Sequence, residues 1–265
     1  MQFKRLKILM IILFISLDTF LFVWWRSNRP DSVQVTDANT SIIAEMKHQN
    51  IQLSKFSTKI PYANYLAGKQ SDKLISLSGK VSDYDASVKN QKLSVNFKTP
   101  QSIKSSGSKN ETSKYIGNQI DPTALAYSAG YQYNKILSYE QGAKQGIYSQ
   151  KIDKLPVVSQ QGLFVVNYDK DGKATGFTQT KISHITELRD ERVTLSEEDA
   201  IVSLYRFNEL NSGDKLSKGM LSYDSALKVN GYDIYTPVWL FVVTHSDGER
   251  DTLKINAFTG DNLSE

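Results

Sequence analysis

Side chains suited to metal binding or thiol chemistry are scarce in this chain. Its only histidines are His48, His184 and His245, and it has no cysteine. Zinc sites draw on histidine, cysteine and carboxylate ligands at short spacings such as HExxH, and no such spacing occurs. The sequence therefore predicts no metal site and no cofactor. His184 and His245 fall near the ends of predicted strands, where we expect them to be solvated or hydrogen-bonded.

Motifs for nucleophilic and phosphoryl chemistry are also lacking. The serine-nucleophile pattern G-x-S-x-G is absent. The segments "SGSK" (106–109) and "SGDK" (212–215) lack the first half of a phosphate-binding loop. The acidic run "SEEDA" (196–200) is typical of a helix start rather than of a catalytic carboxylate pair. We expect the chain not to be an enzyme and to have no small-molecule substrate.

The longest apolar segment lies close to the N-terminus. From Ile8 to Trp25 the only polar residues are Ser16, Asp18 and Thr19. A bilayer crossing requires roughly 17–25 mostly apolar residues. Basic residues before this segment and tryptophans at its end are typical of membrane interfaces, and they form a predicted membrane collar of Lys4, Arg5, Lys7, Trp24 and Trp25.

These features predict residues 1–27 to be a cytoplasmic tip and a single transmembrane helix. The following "WWRSNRP" offers no small-residue cleavage site, so a cleaved signal peptide is the weaker interpretation. The balance of basic residues favours a cytoplasmic N-terminus. We therefore expect a single-pass protein of the cell membrane with an extracellular C-terminal domain.

Asp18 is the group in this segment that calls for a partner. A central aspartate costs about 2.5–3.5 kcal/mol on insertion scales. Ser16 and Thr19 can donate hydrogen bonds to carbonyls of their own helix, but the cost of a carboxyl group in hydrocarbon must be lowered in another way. One interpretation is protonation, tilt or a local water defect. The favoured one is contact with another transmembrane helix, through a predicted partner-binding surface of Asp18, Phe14, Leu21 and Phe22.

The charge of the chain is concentrated around the apolar segment. The first 29 residues hold five basic side chains and one acidic side chain, which account for the whole net charge of +4. Residues 30–265 therefore carry 27 of each sign. A nucleic-acid-binding domain should show a basic surface, so this class is excluded.

The remaining residues predict an α+β fold. Residues 30–39 are expected to form a polar stalk, followed by a helix capped by Thr40 or Ser41. Strand-like alternation and hairpin turns then recur, with "DKDG" (169–172) and "SDGE" (246–249) as turns. The predicted strands are 73–81, 91–98, 134–140, 146–152, 162–169, 173–182, 218–227, 237–245 and 250–258.

Two further helices are predicted, and they suggest two lobes. One begins at Asp121 with Pro122 in its first turn, after an exposed loop at 99–119, and the other is capped by Ser196. Each lobe would pack an antiparallel sheet on a helix. We place the boundary in the charge-dense "TELRDERVT" (186–194), which gives extracytoplasmic lobes of 28–187 and 188–265.

Several segments together resemble the YycI family of Gram-positive bacteria. They are "FKRLKILMIILFISLDTFL" (3–21), "YSQKIDKLPVV" (148–158), "GLFVVNYDKDGKATGFTQTKI" (162–182), "YDIYTPVWLFVV" (232–243) and "KINAFTG" (254–260). The resemblance implies a non-enzymatic membrane regulator of the two-component sensor histidine kinase WalK (YycG), which controls cell-wall metabolism. It also implies a YycH-like protein as second partner and contacts through transmembrane helices. No catalytic residues are implied.

Two other classes of function stay open. The C-terminal lobe looks PepSY-like, which would fit an anchored inhibitor or chaperone of an exported peptidase or cell-wall enzyme. The 14 tyrosines would fit a glycan binder or hydrolase with an aromatic groove. Tyrosines are equally expected as strand residues that pack through their rings.

Overall fold

The computed structural model describes residues 2–27, 32–72, 74, 85–101, 130–140 and 145–264. Contacts between Cα atoms divide the chain into two units, Met1–Ala44 and Glu45–Glu265. The helices are α1 (Gln2–Ser27), α2 (Ser32–His48), α3 (Lys135–Glu140) and α4 (Glu197–Arg206). The strands are β1 (Gln52–Leu53), β2 (Tyr62–Ala63), β3 (Leu66–Gln70), β4 (Asp85–Lys89), β5 (Lys92–Gln101), β6 (Tyr131–Tyr133), β7 (Gln145–Ile152), β8 (Leu155–Pro156), β9 (Leu163–Tyr168), β10 (Ala174–Gln179), β11 (Ile182–Glu187), β12 (Arg192–Val193), β13 (Lys215–Leu216), β14 (Met220–Val229), β15 (Tyr232–Thr244) and β16 (Arg250–Asn256).

The N-terminal apolar segment is helical, as predicted. Helix α1 covers 26 residues without interruption. Within the described part of the chain, no helix meets the combined requirement of length and apolarity for crossing a membrane. The transmembrane character of α1 therefore stays a prediction.

The predicted stalk is wrong where the structure describes it. Helix α2 begins at Ser32 rather than after Thr40 or Ser41. No proline or glycine interrupts residues 32–48, so nothing in the sequence stops the helix from extending toward the N-terminus. It ends where Asn50 takes a left-handed conformation, with φ of 61°, and the Ile51 N–H donates to the Met46 carbonyl.

The first sheet has seven strands arranged around β15. One edge of β15 pairs with β14 and β13, and the other pairs with β3 and β16, all antiparallel. β1 adds to β13 in parallel, and β11 adds to β3. The β14–β15 hairpin turns at Asn230 and Gly231, both with positive φ, which matches the right-handed twist of the paired strands.

The second sheet has the order β4-β5-β10-β9-β7-β6, with β8 paired to β7, and every pair is antiparallel. One face carries a buried aromatic cluster of Tyr131, Tyr148, Phe164 and Phe177. Neighbouring rings in this cluster have centroids 5.1–6.0 Å apart. The α+β class with antiparallel sheets is confirmed.

Most predicted strands are present, and the predicted helix cap at Ser196 is confirmed. Its hydroxyl accepts a hydrogen bond from the Asp199 N–H at 3.1 Å, in a complete capping box. Segment 134–140 is wrong as a strand, because it contains α3. Asn134 caps this helix, since its side-chain oxygen accepts from the Leu137 N–H at 3.1 Å. The segment is too short for its apolar residues Ile136 and Leu137 to distinguish the period of a helix from that of a strand.

Some predictions fall outside the described residues. These are the strand at 73–81 except Leu74, the loop at 99–119 beyond Gln101, and the helix at Asp121. The lobe boundary at residue 188 stays a prediction. Strands from both sides of it pair in the first sheet, where β3 contacts both β11 and β15.

A buried carboxylate joins three segments of the Glu45–Glu265 unit. Glu197 is only 1% exposed and stands at the first position of α4. One carboxylate oxygen accepts from the Ser57 N–H at 2.9 Å, and the other accepts from the Gly219 N–H at 2.7 Å. A Cβ at Gly219 would lie 2.6 Å from the Phe241 ring, so the close approach requires glycine. The positive end of the helix dipole adds to this stabilisation.

We expect Glu197→Gln to lower the free energy of unfolding by about 1–3 kcal/mol. The amide would place an N–H₂ group against one of the two backbone N–H donors. The measurement is urea denaturation of the full chain, with Glu198→Gln in the same helix turn as the control. Equal destabilisation by the two variants would show that the Glu197 carboxylate does not join these segments.

Candidate functional site

The predicted partner-binding surface lies on one side of α1. At 100° per residue, Phe14, Leu21 and Phe22 fall within about 60° of Asp18 around the helix. All three apolar side chains are about half or more exposed. The structure therefore brings these four residues to one helical face.

The hydroxyls near Asp18 are satisfied within α1, as predicted. Ser16 donates to the Leu13 carbonyl at 2.8 Å, and Thr19 donates to the Ile15 carbonyl at 2.7 Å. Among the described residues, no hydrogen bond or ion pair engages Asp18. Of the membrane collar, Lys7 is exposed. The side chains of Lys4, Arg5, Trp24 and Trp25 lie outside the described part.

His245 is the histidine with the strongest interactions. It follows the end of β15, and its Nδ1 and Nε2 atoms each lie 3.0 Å from a carboxylate oxygen, of Asp214 and Asp251 respectively. Because carboxylates only accept hydrogen bonds, both ring nitrogens must carry protons to satisfy both contacts. The bond to Asp214 is the main cause that raises the pKa of His245, with the bond and charge of Asp251 adding to it and partial burial opposing it.

The carboxylate of Asp214 is itself held in place. It is buried, and its second oxygen accepts from the Asn211 N–H at 2.7 Å. His184 differs, because it is exposed in β11 and its Nδ1 lies 3.1 Å from the neighbouring Ser183 hydroxyl. The expectation of hydrogen-bonded or solvated histidines is confirmed for these two. Within the described ranges, no group of three or more histidine or acidic side chains is arranged to hold a metal ion.

Two concave surfaces are formed by described residues of the Glu45–Glu265 unit, and neither was predicted from the sequence. The larger, of about 890 Å³, lies on the second sheet opposite its aromatic face. Four residues that are paired across neighbouring strands line it. They are the hydroxyl residues Ser94 and Thr178, followed by the apolar residues Val165 and Ile147. The smaller, of about 420 Å³, is rimmed by Lys135, Lys215 and Lys218.

No aromatic side chain lines either concave surface. The tyrosines that pack most tightly, Tyr148, Tyr223 and Tyr235, are buried strand residues. The described residues thus give no support to an aromatic glycan groove at these two places. Among the residues that line these two surfaces, Lys215 and Lys218 are the ones that a sequence pattern could have indicated, because they are two cations three residues apart.

A family model described as "YycI protein" matches residues 30–258. The chain belongs to the YycI family, whose members are regulators of the YycG (WalK) kinase system and not a known enzyme class.

No curated protein sequence matches the chain. Among solved structures, the chain is similar to an uncharacterized protein from Eubacterium rectale ATCC 33656. The identity is 10%, the TM-score is 0.45, and the match covers 81% of this chain and 90% of that one.

The contacts of His245 predict a pH-dependent stability. A raised pKa in the folded state means that the imidazolium stabilises the fold fully below its ordinary pKa of 6.5, and that this contribution is lost as pH rises through the raised value. We expect His245→Asn to remove this loss. The measurement compares urea midpoints at about pH 5.5 and about pH 8.5, which bracket histidine titration.

The control is His184→Asn, which should keep the wild-type pH dependence. If the difference between the two pH values is the same in His245→Asn as in the unaltered chain, the contacts to Asp214 and Asp251 do not carry it.

Proposed function

We propose that the chain is a non-enzymatic, membrane-anchored regulator of a WalK (YycG)-type sensor histidine kinase that controls cell-wall metabolism. Helix α1 crosses the cell membrane once, with its N-terminus cytoplasmic and the rest of the chain extracellular. Within the bilayer its Asp18 surface contacts transmembrane helices of the kinase and of a YycH-like protein. Family membership supports the kinase system as the target.

The observation that carries the proposal is the unpartnered carboxyl group of Asp18 on an otherwise apolar, exposed helix. Exposed large apolar side chains run along α1 from Ile8 to Val23. In water such an apolar surface would be unfavourable, whereas in lipid only the carboxyl group of Asp18 would be unfavourable. A hydrogen-bond donor on a neighbouring transmembrane helix leaves the apolar side chains in lipid and also gives Asp18 a partner.

The energy that such a contact supplies is adequate for regulation. Model-peptide studies place an interhelical hydrogen bond in a membrane at about 1–2 kcal/mol. If the bond forms better with one packing state of the kinase helices than with the other, it shifts the equilibrium between them. Coupling free energies of about 1–3 kcal/mol correspond to roughly 5–150-fold changes in affinity or population.

The extracellular domain then sets how α1 is presented. It has no charge excess that would draw it to an anionic membrane surface, since residues 30–265 are neutral overall. It is held together by two seven-stranded sheets and a two-stranded sheet of β2 and β12, without disulfides. Its role in the proposal is to respond outside the membrane while α1 contacts the kinase inside it.

We expect Asp18→Leu to reduce co-purification of the kinase and the YycH-like protein with the full chain by roughly tenfold, as the loss of about 1.4 kcal/mol requires. Asp18→Asn should keep most of it, because an amide can still form interhelical hydrogen bonds. Phe14→Ala should weaken the complex, and Phe20→Ala, on the opposite side of α1, is its matched control. The measurement is quantitative mass spectrometry of complexes captured from detergent-solubilised membranes, with kinase autophosphorylation in parallel.

Unchanged co-purification and unchanged kinase output in Asp18→Leu would exclude Asp18 as the contact. If the captured partner is an exported peptidase, and its inhibition is indifferent to changes in α1, the alternative function as a peptidase inhibitor or chaperone is supported instead. Membrane extraction with alkaline carbonate checks that all four variants are inserted equally.

A further inference from the structure

The smaller concave surface lies where four segments of the chain meet. It is lined by β13 and the residues after it, by Ser54 just after β1, by the start of α3, and by the end of β15. The lining residues are Ser54, Lys135, Ile136, Lys215, Leu216, Ser217, Lys218, Val242 and Thr244. The cavity volume of about 420 Å³ is within the range of about 300–1,000 Å³ that is typical of small-molecule sites.

The charge of this cavity is of one sign. Lys135, Lys215 and Lys218 line it, and no acidic residue does. Among the described residues, none of these three ammonium groups forms an ion pair or a hydrogen bond. All three side chains are exposed, and they place three like charges around one cavity in a domain that is neutral overall. An anion in the cavity would be attracted by all three.

The walls of the cavity are fixed by contacts that do not involve the lysines. The Ser54 hydroxyl donates to the Leu216 carbonyl at 2.9 Å, and the Ser217 hydroxyl accepts from the Val242 N–H at 2.9 Å. Leu216 and Val242 are buried, whereas Ile136 is partly exposed and gives the cavity apolar contact surface. The walls are therefore preformed, with cationic side chains at the rim.

The lysines also indicate the chemical class of the anion. Arginine binds planar carboxylates in a bidentate way, whereas lysine acts as a point charge and is a common phosphate ligand. Three ammonium groups exceed what one carboxylate needs and match a doubly charged phosphate. We infer that this cavity binds a phosphate ester, whose phosphate contacts Lys135, Lys215 and Lys218 and whose organic part packs on Ile136.

Such a phosphate monoester can come from a lipid headgroup or from a soluble metabolite. The experiment is isothermal titration of the full chain in dodecyl maltoside with sn-glycerol 1-phosphate and, separately, with dioctanoyl phosphatidic acid. Glycerol is the uncharged control ligand and should not bind. Binding of phosphatidic acid alone identifies the lipid source, and binding of glycerol 1-phosphate identifies the soluble source.

Charge-neutralising variants test the site itself. The cavity variant combines Lys135→Gln, Lys215→Gln and Lys218→Gln. The control variant combines the same changes at exposed lysines elsewhere, at Lys170, Lys173 and Lys228. We expect the cavity variant to bind at least about tenfold more weakly, since it loses all three charged contacts to the phosphate, and the control variant to bind as the unaltered chain does.

Thermal unfolding shows whether the triple variant is folded. If it is not, the single variant Lys218→Gln replaces it, with a weakening of a few-fold or more as the expected result. The inference is overturned if neither phosphate ester binds, or if the control variant loses as much affinity as the cavity variant.

Discussion

The structure depends on the hydrogen-bonding requirement of one long, buried strand. β15 has 13 residues, and all but three of them are buried. Its N–H and C=O groups must therefore find partners on both edges along most of its length. One neighbouring strand on each edge does not suffice, so β14 and β13 share one edge and β3 and β16 share the other. This requirement draws residues from positions 66 to 256 into one sheet.

Whether the sequence predicts a feature of this fold depends on how far apart along the chain the interacting residues lie. The hairpin turns at residues 169–172 and 246–249 and the Ser196 cap are local, and the sequence predicts them correctly. Segment 134–140 is too short for its periodicity to separate helix from strand, and Asn134 decides in favour of the helix. The partners of β15 cannot be predicted in this way, because β3 lies more than 160 residues before it.

The same distinction applies to the sites. The Asp18 surface can be predicted from the sequence, since helical geometry alone places Phe14 and Phe22 beside it. The lysine cavity cannot be predicted from the sequence. Lys135 lies 80 residues before Lys215, and only the tertiary fold brings the two residues to one cavity. The contact between His245 and Asp214 is likewise a product of pairing, since β13 and the end of β15 are neighbours.

β13 connects these two features of the Glu45–Glu265 unit. It pairs over only two residues with β1 and over two with β15, so ladder hydrogen bonds contribute little to its position. Its position depends instead on side chains: Asp214 before it binds His245, and Ser217 after it binds Val242. A ligand at Lys215 and Lys218 and a proton at His245 would both stabilise the same short strand, and each stabilises only the state that it binds. β13, which pairs with each of its two neighbours over only two residues, is thus the place where a ligand and a proton would both act on the first sheet.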